Sequence, residues 1–130
     1  ADRFAFLTTF CDQFFNYQQD RGRLVSEEAY RAHWDIGARS SAKAMLDCVD
    51  AWLTDFRPDL PRIDVPSLIV QGDADAILPF PATGQRLASM LPNSSLVTLR
   101  GDSHAIGWTR ADEVNRAIIE FVGTRAMAHA

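Results

Sequence analysis

The chain has 130 residues, a net charge of −4 and a pI near 5.2. That length allows one domain with a real core, and 47% apolar with 23% charged residues is ordinary for a globular protein. Lys43 is the sole lysine and no Lys/Arg-rich face is available, which argues against nucleic acid as a partner, and no apolar run approaches the ~20 residues of a membrane span. The opening ADRFAFLTTF lacks the basic-then-apolar layout of a secretory leader, and it begins on Ala1, as expected of a fragment or a processed form. Cys11 and Cys48 are too few and too far apart for a disulfide framework or a metal knuckle. Both are expected to be buried thiols of a cytoplasmic protein.

Residues 2–52 contain no proline and carry apolar residues at helical spacing. In the first segment Phe4, Leu7, Cys11, Phe14 and Phe15 form one stripe. Phe6, Phe10 and Tyr17 form a second, so this helix is expected to be covered on two sides. QQDRGR breaks it, with Gly22 as the stop. Ser26 before Glu27 and Glu28 reads as a cap and acidic first turn for a helix through Trp34. Ser40 or Ser41 opens a third helix with Ala42, Met45, Val49 and Trp52 on one side. TDFRPDLPRIDVP, residues 54–66, holds three prolines and reads as a rigid linker.

Beyond the linker the period changes. SLIVQ, 67–71, is a short apolar run between Pro66 and Gly72 and reads as a buried strand. PATGQRLASML, 81–91, reads as a helix with Pro81 near its start and Pro92 past its end. SLVTL, 95–99, is a second strand. TRADEVNRAIIEFV, 109–122, is a helix capped by Thr109, with Val114, Ala117, Ile118 and Phe121 on one face. Strand, helix, strand over 67–99 predicts two parallel strands. The division is therefore a helical segment at 1–57, a βαβα unit at 58–123 and a frayed tail at 124–130.

Functional groups of open α/β sheets gather beyond the carboxyl ends of parallel strands. QGDADAILP and GDSHAIGW both occupy that position, so Asp75 and His104 are expected at one edge, on neighbouring strands. An aspartate that orients an imidazole is one leg of a hydrolytic triad. The alternative is ordinary for each: Asp73 and Asp75 as solvated turn acids, His104 as a loop histidine. His33, His104 and His129 show no ligand spacing, so no metal is expected. Trp34, Trp52, Trp108 and the phenylalanines of the first helix read as packing residues, His33 as a helix-surface residue and His129 as part of the tail.

Gly72-Asp73-Ala74-Asp75-Ala76-Ile77-Leu78-Pro79 and Gly101-Asp102-Ser103-His104 resemble the acid and histidine motifs of the α/β-hydrolase family. The aromatic first helix with FFNY, then VDAW (49–52) and TDFRPDLPRIDVPSLIVQGDADAILP (54–79), are similar in particular to its cofactor-free (non-haem) haloperoxidase branch, which includes esterases and perhydrolases. The resemblance runs over residues 2–123 and covers the C-terminal half of such an enzyme. It implies an α/β fold, here cap helices plus a terminal βαβα unit, and no cofactor. It also implies that Asp75 follows the family's seventh strand and His104 the eighth, and that residues 2–56 correspond to cap helices above the site.

The family nucleophile stands on a G-x-S-x-G elbow after the fifth strand, preceded by an oxyanion-hole loop. This chain has no G-x-S-x-G. The nearest imitation, Gly101-Asp102-Ser103-His104-Ala105, ends in alanine, and AIGW (105–108) intervenes before the helix expected from Thr109. A serine next to its own histidine also cannot easily reach the Oγ-to-Nε2 geometry of a triad. Ser103 is therefore read as a loop residue, Cys11 and Cys48 as weaker nucleophiles still, and Asp75 and His104 as the acid and base positions of a triad whose nucleophile is absent. Three readings follow: the C-terminal half of a haloperoxidase-like hydrolase; a catalytically inactive chain that self-associates into a homo-oligomer through its truncated faces; or one chain of a split enzyme, active only with a partner carrying the N-terminal half.

Overall fold

The computed structural model describes residues 2–128, and the side chains of residues 2–124. Four helices come first: α1 (Arg3–Phe15), α2 (Tyr17–Asp20), α3 (Glu27–Arg39) and α4 (Ala42–Trp52). A 3-10 turn (Arg57–Arg62) leads to β1 (Ser67–Gly72). A second 3-10 turn (Phe80–Ala82) and α5 (Gly84–Met90) then cross over to β2 (Ser94–Leu99), followed by α6 (Ile106–Thr109) and α7 (Ala111–Ala128). None of the described helices is long and apolar enough to cross a membrane.

The helix starts follow local capping chemistry. Asp2 accepts from the N–H groups of Phe4 and Ala5, Ser26 from Ala29 and Ser41 from Ala44. α3 runs to Arg39, past the expected end at Trp34. The first helix stops earlier than expected, because Asn16 adopts a left-handed conformation (φ 49°) and its N–H bonds back to Asp12 and Gln13. Gly22, the expected stop, instead forms a left-handed turn (φ 69°) after α2.

α1 is covered on one side only. Leu7, Cys11 and Phe15 are buried against α3, where Gly37 lies so close that a Cβ there would sit 2.8 Å from Leu7 Cδ2. Phe4 and Phe6 of the two predicted stripes are exposed. Phe15, Tyr17, Val25 and Ala105 form the buried cluster, which ties the helical half to the loop after β2. Arg3 fixes the α3–α4 corner, with Nη2 donating to Gly37 O (2.7 Å) and Ser40 O (2.6 Å). α4 has little else to pack on: Leu46 is 66% exposed and Trp52 70%. The packing role expected for Trp52 fails for that reason, and so does burial of Cys48, which is exposed.

The two strands are parallel, in register from Ser67↔Ser94 to Gly72↔Leu99. They match the predicted strands to within one residue at each end. The linker does form one structured piece, the 3-10 turn, which accepts Pro58 and Pro61 because its residues need few backbone donors. The helix predicted over 81–91 begins only at Gly84, and the helix predicted from a Thr109 cap is divided: α6 starts at Ile106, directly after Ala105, where AIGW was expected to intervene without helix. Thr109 ends α6 instead of capping α7, because Asp102 draws its hydroxyl away (Oγ1 to Oδ1, 2.7 Å). α7 continues to Ala128, through most of the stretch expected to be frayed; His129 lies outside the described residues.

Candidate active site at the carboxyl ends of the strands

β1 and β2 end level with one another, so the loops that follow them leave the sheet side by side. The backbone ladder continues past the strand ends. Asp73 N donates to Leu99 O (3.1 Å) and Ala74 N to Asp102 O (3.0 Å). Asp73, one of the two candidate turn acids, is exposed and uses its carboxylate to receive the N–H of Gly101 (2.6 Å). Gly101 itself needs a left-handed conformation there (φ 72°). Gly72 permits this closeness: a Cβ at that position would lie 2.2 Å from the carbonyl oxygen of Asp102.

Asp75 is buried, with 6% of its surface exposed, so it is no solvated turn acid. Its Oδ1 receives the N–H groups of Ile77 (2.9 Å) and Leu78 (2.8 Å). Its Oδ2 lies 2.7 Å from His104 Nδ1 and 3.2 Å from Gln71 Nε2. Burial pushes the Asp75 carboxyl up, but the Leu78 N–H, the His104 imidazole and the Ile77 N–H together outweigh it, and the net shift is downward. An ionised carboxylate facing Nδ1 places the neutral imidazole's proton on Nδ1 and leaves Nε2 with a free lone pair. Among the described residues no side chain hydrogen-bonds to Nε2, and the His104 side chain is 31% exposed.

The histidine is held from two further directions. The Phe14 ring on α1 meets the His104 ring edge-on, with centroids 5.0 Å apart. Phe14 also stacks on His33 at 4.6 Å, and Phe15 meets His33 edge-on at 5.1 Å. His33 is thus packed among aromatics rather than on the helix surface, and burial lowers its pKa. Asn16 donates from Nδ2 to Ala74 O (3.0 Å), tying the α1–α2 junction to the acid loop.

Two residues that the sequence reading passed over build the site from behind. Asp102 is buried and accepts from Arg110 Nε (2.6 Å), the Thr109 hydroxyl (2.7 Å) and the Ser103 N–H (2.8 Å). Those bonds fix the turn that presents His104. Gln71 braces the acid loop. The signal for both lay in the sequence: each directly flanks a glycine that ends or follows a strand.

Ser103 is fully buried, and its Oγ accepts the N–H of Ala105 (3.2 Å). It is a loop residue, as expected, but faces the protein interior, occupied and out of reach of a substrate. Cys11 is buried too, its thiol pushed up to about 11 by burial and then by Asp12. Trp108 is 62% exposed and borders nothing that covers it, against the packing role expected of it. No group of His, Cys, Asp and Glu among the described residues could hold a metal ion. The arrangement can therefore accept and return a proton at His104 Nε2, and among the described residues no serine or cysteine side chain is hydrogen-bonded to that nitrogen.

No protein-family profile matches the chain. It is 50% identical over 121 residues to a Synechocystis sp. protein named "Putative non-heme chloroperoxidase", covering 93% of this chain and 44% of the relative. A bifunctional esterase/perhydrolase of Acinetobacter calcoaceticus is 33% identical over 102 residues, which is 78% of this chain and 37% of the relative. In structure, a crystallised bromoperoxidase from Bacillus anthracis matches 94% of the chain and 44% of its own length, with a TM-score of 0.86 and 41% identity. The chain thus spans less than half the length of the proteins it matches. It belongs to the non-heme haloperoxidase branch of the α/β-hydrolases, of which it represents the C-terminal half.

Proposed function

We propose that this chain supplies the acid–base half of a serine-hydrolase relay, with Asp75 as the acid and His104 as the base, to a serine carried outside the sequence. The observation that carries the reading is the His104 Nδ1–Asp75 Oδ2 contact of 2.7 Å, with Nε2 left open on the other side of the ring. In the assembled site the serine Oγ attacks the acyl carbon while its proton passes to His104 Nε2. The imidazolium forms against the Asp75 carboxylate, which stays ionised, and the proton then goes to the leaving alcohol. Water attacking the acyl-enzyme gives the acid; hydrogen peroxide gives a peracid, which oxidises halide to hypohalous acid and is itself reduced to the carboxylate. The names of the relatives, chloroperoxidase, bromoperoxidase and esterase/perhydrolase, support both branches of that reaction.

On its own the chain is expected to be inactive in this chemistry, because Ser103, the serine beside the base, is buried and bonded away. It is also expected to associate. Among the described residues β1 and β2 pair only with each other, and Leu46, Trp52, Leu53 and Phe56 leave an apolar surface on and just after α4. Further copies of the chain would cover these faces in a homo-oligomer; in a split enzyme a chain carrying the nucleophile would do so. A fluorophosphonate serine probe tests the reading, alongside absolute mass by light scattering. No labelling of the chain alone, at a mass of several subunits, is the expected result. Labelling of a clean monomer would overturn it and would return Ser103 to the position of nucleophile.

A further inference from the structure

We propose that Gln71 is a positioning residue for Asp75: its carboxamide aims the acid's Oδ2 at His104 and locks the acid loop to the start of α5. The proposal rests on the reading of Asp75 and His104 as a relay pair. Gln71 is the penultimate residue of β1, half-buried beneath the loop that carries the acid. Its Oε1 accepts the backbone N–H of Gly84 (2.8 Å). That group can only donate, so it settles which end of the amide is oxygen. Nε2 then faces Leu78 O at 2.6 Å, Thr83 Oγ1 at 3.0 Å and Asp75 Oδ2 at 3.2 Å. The amide has two hydrogens. A carbonyl and a carboxylate can only accept, whereas the Thr83 hydroxyl can itself donate, with Pro79 O at 3.0 Å and Gln71 Oε1 at 3.2 Å as acceptors. The two amide hydrogens therefore go to Leu78 O and to Asp75 Oδ2.

The consequence is a carboxylate with both oxygens committed. Oδ1 is held by Ile77 and Leu78, Oδ2 by Gln71 and His104. Rotation of the Asp75 carboxylate breaks bonds at both ends, so the acid cannot turn away from the imidazole. α5 takes part through its first residue. A Cβ on Gly84 would lie 2.2 Å from Gln71 Oε1 and 3.3 Å from Gln71 Cδ, so this position is glycine where the amide must fit. The role is separable from holding the two loops together, since the Asp73–Leu99, Ala74–Asp102 and Asp73–Gly101 bonds do that without Gln71.

The test is NMR of the 130-residue chain, reading the His104 Nδ1 proton and the tautomer of the neutral ring. The parent protein is expected to show one tautomer, with a protected, downfield Nδ1 proton that Asp75→Asn abolishes. Gln71→Met keeps the volume and removes the donor; Gly84→Ala keeps Gln71 and displaces its amide. Both are expected to lose that proton signal and mix the two tautomers, while the amide contacts between β1 and β2 persist. Retention of the parental signal in Gln71→Met overturns the proposal. So does loss of the strand contacts in both variants, which would make Gln71 part of the scaffold. A parental signal indifferent to Asp75→Asn would instead overturn the relay pair on which the proposal rests.

Discussion

His104 Nδ1 and Asp75 Oδ2 lie 2.7 Å apart although 29 residues separate them in the chain, because two parallel strands end level and each is followed at once by a loop that the other braces. The bond is a property of the βαβ crossover, and much of its consequence can be measured without any activity.

The first consequence is a pH dependence of stability. The carboxyl of Asp75 titrates lower in the folded chain than in the unfolded one, whose ordinary value is about 3.9. Its contribution is therefore fully present above about pH 4 and is lost as pH falls through the lower, folded-state value. Urea unfolding at stepped pH is expected to show this acid limb in the parent chain, flattened in Asp75→Asn. Near neutrality the same substitution is expected to cost about 1–3 kcal/mol, since a carboxamide offers one acceptor oxygen to the four donors and turns its NH2 group toward the rest.

Gly72 and Gly101 differ in why they are glycine, and their alanine variants are expected to separate. At Gly72 the added methyl meets backbone, the Asp102 carbonyl oxygen at 2.2 Å, which cannot move without parting the two loops. At Gly101 nothing lies within 4 Å and only the left-handed φ of 72° resists. Gly101→Ala is expected to cost about 1–2 kcal/mol. Gly72→Ala is expected to cost about 3 kcal/mol, by analogy with an overpacked core, and to disturb the His104 ring signals as well. Equal costs in thermal or urea unfolding, with the His104 signals unmoved, would contradict the close approach described.

Asp102 carries the histidine turn. Asp102→Ala removes the acceptor of three bonds, one from the Arg110 guanidinium, and is expected to cost about 2–3 kcal/mol. Thr109→Val removes one neutral donor and is expected to cost about 1 kcal/mol. Chemical denaturation of both variants checks the order, and a cost for Thr109→Val equal to or above that of Asp102→Ala would contradict it.

The thiols give a simpler check. Cys48 is exposed and Cys11 is buried with its pKa raised to about 11. One thiol per chain is expected to react with a disulfide reagent at neutral pH in the native protein, and two in denaturant. Cys48→Ser is expected to remove the native reaction.

What the sequence made legible was what neighbours in sequence decide. The two strands, their parallel pairing, the cap at Ser26 and a cap at Ser40 or Ser41, which the structure places at Ser41, follow from period and from side chains within three residues of the backbone they serve. The placing of Asp75 and His104 at one edge followed from the crossover. The errors arose where a distant group intervened. The helix start moved from Pro81 to Gly84, where the Gln71 side chain receives the Gly84 N–H. Thr109 was drawn off by Asp102, seven residues back. Trp52, Trp108 and Cys48 are apolar residues whose burial depends on a covering surface, and periodicity reports a face without reporting what covers it.

The central claim is that His104 serves a serine carried outside this sequence. It is tested most directly by mixing the chain with the recombinant portion of the Synechocystis relative that lies outside the region matched to this chain, and following hydrolysis of a simple aryl ester. The account predicts turnover in the mixture alone, abolished by His104→Ala in this chain and by replacement of the partner's serine. Turnover by the chain alone, or turnover in the mixture that survives His104→Ala, would contradict it.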